Sequence, residues 1–113
     1  MKKSIRLISD FNLDTYYNFL SQKIDSKKYK LHKPSFGLFY DSCFELVNSK
    51  DKNYIIFIWS IIEGVIKNFR SLIANEKINL KNLYKEVDEY INIVKQLATK
   101  TDYLIINSWT LPE

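Results

Sequence analysis

The sequence predicts a three-layer α/β domain, a parallel sheet of about four strands with helices on both faces. Three apolar runs carry that expectation: residues 5–8, 54–58 and 103–106, all rich in β-branched and aromatic side chains. Each run stops abruptly, at Ser9-Asp10-Phe11-Asn12, at Trp59-Ser60 and at Asn107-Ser108-Trp109. The intervening stretches repeat their apolar residues at helical spacing. Strands that alternate with helices read as crossover units, and such sheets collect ligands beyond the carboxyl ends of their strands. Any site is therefore expected at the rim where the three polar ends meet.

The elements follow in order. Residues 3–9 form the first strand. Leu13, Tyr16, Tyr17, Leu20 and Ile24 then fall at helical spacing, with Asn12 or Asp10 placed to cap the helix. Asp14 in its first turn favours the helix dipole. Residues 29–33 make a shorter, more polar strand, and Pro34 limits its pairing, which suits a sheet edge. Ser35-Phe36-Gly37 is a turn, after which Phe39, Tyr40, Cys43, Leu46 and Val47 mark a second helix. Residues 54–58 are continuously apolar, as expected of a strand buried on both faces.

Ile62, Val65, Ile66, Phe69, Leu72 and Ile73 form a third helical stripe, weakened locally by Gly64. Asn75-Glu76-Lys77 interrupts it. The clearest helix occupies residues 80–99, with Leu80, Leu83, Tyr84, Val87, Ile91, Val94 and Leu97 as its expected apolar stripe. Thr101-Asp102 leads into a last strand at residues 103–107. Right-handed crossovers place the first strand inside the sheet. The expected order is 2-1-3-4, a flavodoxin-like arrangement whose switch point lies between strands one and three.

Composition narrows the class. A chain of 113 residues makes one domain with a single core, and 46% hydrophobic with 27% charged residues argues against disorder. Its apolar runs fall well short of the ~18 residues a membrane span needs. Met1-Lys2-Lys3 precedes an apolar stretch too short for a signal peptide, so a cytoplasmic protein is expected, with no membrane partner. Net charge is +4, with lysines interleaved among acidic residues. The densest run, residues 23–33, holds five lysines and one aspartate, straddles a loop and reads as solvated, so no nucleic-acid partner is expected. Cys43 is the only cysteine, which excludes an internal disulfide and a cysteine metal cluster and reads as a small buried hydrophobe.

The candidate ligand cleft comprises Asp10, Asn12, Trp59, Ser60, Glu63, Asn107, Ser108 and Trp109, all at or just beyond strand ends. For each a plainer role competes: Asp10 as a cap or loop anchor, Glu63 as a first-turn charge, and the tryptophans as packing residues. No catalytic or metal-binding residue is assigned. Ser9-Asp10 reverses the aspartate-serine order of a nucleophile turn, and His32, the only histidine, belongs to the far edge strand. No Gly-x-Asn-Asp segment follows the third strand to offer oxyanion donors. Asn12 two residues beyond Asp10 breaks the Asp-x-Asp pair of a phosphatase, and Gly37 and Gly64 alone cannot build a phosphate loop.

At these same positions the chain resembles the amino-terminal, SGNH-like domain of HAD-IIIC (FkbH-like) proteins. Leu7-Ile8-Ser9-Asp10-Phe11-Asn12-Leu13 is similar to that domain's opening strand and turn. Phe57-Ile58-Trp59-Ser60-Ile61-Ile62-Glu63 resembles its third strand and the tryptophan and proline-glutamate pair beyond, with Ile62 where the family usually has proline. Ile105-Ile106-Asn107-Ser108-Trp109-Thr110-Leu111-Pro112 resembles its tryptophan-leucine-proline close, and Lys33-Pro34-Ser35-Phe36-Gly37 its turn after strand two. The likeness covers nearly the whole chain. It implies an SGNH-like fold in residues 1–113, forming the amino-terminal part of a longer protein whose HAD domain follows. It also implies a non-catalytic accessory role beside a phosphatase or glyceryl-transferase-type enzyme, with an acyl carrier protein as a partner. Magnesium is expected only in the HAD domain, outside this chain. The alternative is a self-contained small-molecule-binding domain or a degenerate SGNH-type hydrolase.

Overall fold

Alternating side chains along four short strands give this chain its two faces. The computed structural model describes residues 2–34, 38–66, 68–69 and 80–108, with the backbone alone for Glu63. Among these residues the elements are, in chain order, β1 (Lys3–Ser9), α1 (Asp14–Lys23), β2 (Tyr29–Leu31), α2 (Phe39–Asn48), β3 (Asn53–Trp59), the single-turn α3 (Ile62–Val65), α4 (Leu80–Ala98) and β4 (Thr101–Ile106). The strands are all parallel and ordered β2-β1-β3-β4, as the crossover argument requires. Ile5 lies between Leu31 and Ile55, and Ile55 in turn lies opposite Tyr103.

Ile8, Ile56 and Ile58 point to the side covered by α2, α3 and α4, where they meet Phe39, Cys43, Val65, Ile93 and Leu97. This is the core. Cys43 has no exposed surface, and burial pushes its thiol up to about 12, so it packs as a hydrophobe. Asn53 is buried at the start of β3 and engaged at both ends of its amide: its Oδ1 accepts from Arg6 Nε at 3.1 Å, and its Nδ2 donates to the Lys100 carbonyl at 3.2 Å. Arg6 also pairs with Asp51 at 3.3 Å. These contacts lock the amino ends of β1, β3 and β4 together.

Three details differ from the expectations. β2 stops at Leu31, two residues early, although the His32 amide still donates to the Ile5 carbonyl. The third helix closes after one turn, because Ile66 leaves it in an extended conformation. Val65, Ile66 and Phe69 are nonetheless buried, and Glu86 of α4 holds the turn by accepting from the Asn68 backbone and side-chain amides. Leu72, Ile73 and the break at residues 75–77 lie outside the described residues. Finally, α4 buries Leu83, Tyr90, Ile93 and Leu97, while Leu80, Tyr84, Val87 and Ile91 are exposed. Two apolar stripes run along this helix, and periodicity alone cannot choose between them.

The opposite face is covered differently. Ile5, Leu7, Leu31, Ile55, Phe57 and Ile105 turn toward the α1 side, but α1 itself has no buried residue. Tyr103 and Ile105 of β4 are exposed there.

Candidate functional site at the carboxyl ends of the strands

β1 and β3 end side by side, Ser9 opposite Trp59, and β4 ends next to Ile58. That register brings Asp10, Ser60 and Asn107 to one place. The Asp10 carboxylate accepts the Ile61 N–H with both oxygens, at 3.2 and 3.3 Å. It lies directly over the Cα of Gly64, where any β-carbon would collide with it. Asn107 reads both backbone groups of Ser60: its Oδ1 accepts the Ser60 N–H at 2.9 Å, and its Nδ2 donates to the Ser60 carbonyl at 3.0 Å. The segment between β3 and α3 is thus pinned from β1 on one side and from β4 on the other.

Ser60 is 2% exposed, and its side chain lies behind the rim toward Tyr90. Burial raises the Tyr90 phenol above its ordinary value, and the neighbouring Ser60 hydroxyl offsets part of that rise. Ser9 Oγ accepts the Phe11 N–H at 3.1 Å in a tight local turn. Asn12 Oδ1 accepts the Asp14 N–H at 2.8 Å and so sets the entry to α1. Neither candidate occupies the N-cap, which is Leu13 and makes no side-chain cap bond; Asn12 shapes the turn just before α1, and Asp10 instead anchors the approach to α3.

Trp59 takes the other face. Its ring packs on the α1 side against Phe11, Tyr16 and Phe57, with centroids 5.9, 4.5 and 6.2 Å away. Strand alternation dictates this, since consecutive residues 59 and 60 must point to opposite faces. Ser108 is exposed just past β4, and its carbonyl accepts from Asn107 Nδ2 at 3.4 Å. Glu63 is in α3, and its side chain, like all of Trp109, lies outside the described residues. The sequence argument missed Tyr90 and the cradle at Gly64. One signal was available for the second: an isolated glycine inside a helical stripe costs stability and so can mark a packing need.

His32 sits away from this rim, past the end of edge strand β2. Its Nε2 is 3.1 Å from Ser4 Oγ, beside a cavity of about 240 Å³ also lined by Arg6, Glu45 and Asp51. Burial lowers the His32 pKa below 6.5, with Arg6 and Lys30 adding to the effect and Asp51 opposing it. Above pH 6.5 the ring is neutral in both folded and unfolded chains, and its full contribution to stability is present. As pH falls from 6.5 toward the lower folded value, the unfolded chain binds more protons and stability drops. Urea midpoints measured between about pH 7 and 5 should therefore fall less steeply for His32→Gln than for the native chain. Identical slopes would show that another group sets the trend.

Among the described residues no group of three or more His, Cys, Asp or Glu side chains gathers to hold a metal ion. No helix among them is long and apolar enough to cross a membrane. Comparison with protein-family models, with curated proteins and with solved structures found no match.

Proposed function

We propose that this chain is a non-catalytic accessory domain of an enzyme of the HAD-IIIC (FkbH-like) type. In that role it stands beside a HAD domain, docking an acyl carrier protein or shaping the acceptor site, in the cytoplasm. One observation carries the reading: three polar side chains of the rim, those of Ser9, Asp10 and Asn107, are turned onto backbone. Asp10 holds the Ile61 N–H, Asn107 holds Ser60, and the Ser9 hydroxyl holds the Phe11 N–H. The histidine that a serine nucleophile would need is bonded to Ser4 at the amino end of β1, away from the rim. A rim built this way fixes a surface and leaves the chemistry to the neighbouring domain, which also holds the magnesium.

The isolated chain is expected to hydrolyse neither simple esters nor phosphomonoesters above the uncatalysed rate. Turnover abolished by Ser9→Ala or Asp10→Asn would overturn the reading in favour of a degenerate SGNH-type hydrolase. The coding sequence provides a second test, since an Asp-x-Asp segment is expected in the HAD partner encoded directly downstream. One alternative has its own support, because Asp10, Ser60 and Asn107 do gather at adjacent strand ends, where open parallel sheets bind small molecules. Calorimetric titration with glyceryl phosphates separates the two, with saturable heat expected only for the ligand site.

A further inference from the structure

A parallel sheet is ordinarily covered on both faces, and a helix about 10 Å across covers two strands spaced about 4.8 Å apart. On the core side, α2, α3 and α4 do this. On the other side, among the described residues, one ten-residue helix faces four strands. α1 also stands off the sheet, leaving an apolar cavity of about 380 Å³ beneath it that reaches Phe57, Trp59 and Ile105. Tyr103 and Ile105 are 57% and 44% exposed, and Tyr16 and Phe19 of α1 are 46% and 58% exposed. The uncovered strip is two strands wide and walled along one side by α1. That is the footprint of one helix.

Charge marks one end of the strip. Lys3 Nζ lies 4.3 Å from the centre of the Tyr54 ring, and Lys23 Nζ lies 5.7 Å from that of Phe19. Lys2, Lys50, Lys52 and Lys100 gather at the same amino ends of the strands with two aspartates: Asp51 is already paired with Arg6, and Asp102, next to Tyr103 in β4, alternates onto the opposite face. We propose that the strip over β3 and β4, beside α1, docks an amphipathic α-helix from a partner protein. Its apolar stripe lies on Phe57, Tyr103 and Ile105, and acidic residues at one end face Lys3 and Lys23. Such a helix answers both the apolar strip and the cations. A second copy laid face to face would bring the same lysines and answer only the first. The proposal is independent of the HAD-IIIC reading, because it rests on the sheet and not on the rim.

The probe is a synthetic helical peptide of about 14 residues, roughly four turns, with a leucine stripe and glutamates at one end; a twin carries lysines there. Binding is read calorimetrically with the native chain and by Trp59 fluorescence in a Trp109→Phe variant. The glutamate peptide is expected to saturate and to shift Trp59 emission to the blue, with the lysine twin at least about tenfold weaker. Ile105→Glu should weaken binding at least about tenfold, Ile105→Ala by less, and Phe44→Glu on the exposed side of α2 not at all. No saturable binding, equal binding of the twin, or indifference to both Ile105 changes would overturn the proposal. So would self-association lost in Ile105→Glu, which would make the occupant a second copy. Binding seen only after removal of residues 109–113 would make it this chain's own end. No HAD domain is present in this assay, so its failure would leave the accessory reading standing, and the reverse holds too.

Discussion

Asn53→Ala should lower the free energy of unfolding by about 2–4 kcal/mol, the largest effect expected of any polar residue here. The native amide is buried, accepts from the Arg6 guanidinium and donates to the Lys100 carbonyl. Alanine removes both partners at once and leaves a small void between β1 and the start of β4. Arg6 lies near the surface and can turn to water or to Asp51, which keeps the cost below that of a wholly buried charge. Urea unfolding of Asn53→Ala, Arg6→Ala and the double variant measures the interaction directly. Because the two residues share a hydrogen bond, the double variant should cost less than the sum of the singles. Simple additivity would show that the bond contributes nothing.

Gly64→Ala comes next, at about 2 kcal/mol. In an ordinary helix this change would stabilise, since alanine is favoured over glycine by up to ~1 kcal/mol. Here the new methyl group occupies the space of the Asp10 carboxylate, which must swing away and release the Ile61 N–H. The sign should reverse once the carboxylate is gone. In an Asp10→Ala background, Gly64→Ala is expected to be neutral or mildly stabilising, although Asp10→Ala alone costs about 1 kcal/mol. Equal penalties in both backgrounds would mean that the cradle does not act through Asp10.

The parts of this structure legible in the sequence are those with a short repeat. The run 3–9 and the apolar block beginning at Tyr54 announce strands locally, and crossover handedness then leaves one reasonable strand order. The partners at the rim were not legible. That Asp10 meets Ile61, and Asn107 meets Ser60, depends on register across the sheet, which no local pattern encodes. Trp59 and Ser60 were grouped because they are neighbours in sequence, whereas pleating sends them to opposite faces. α4 was legible as a helix, but its buried face was only partly so, for another reason. Its apolar residues occupy two stripes, and only the packed sheet selects the one holding Tyr90 and Ile93.

The double pinning of the β3–α3 segment bears on how the rim exchanges hydrogen with solvent. Ser60 and Ile61 follow the last residue of β3, where amides ordinarily exchange within seconds once a loop breathes. Their protons are instead held by side chains from two different strands, Asn107 past β4 and Asp10 past β1. The Ser60 amide should exchange when its bond to Asn107 opens, and the Ile61 amide when its bond to Asp10 does. Two adjacent loop amides thus report separately on the ends of the two strands that flank β3, and different protection at the two would show which end opens first.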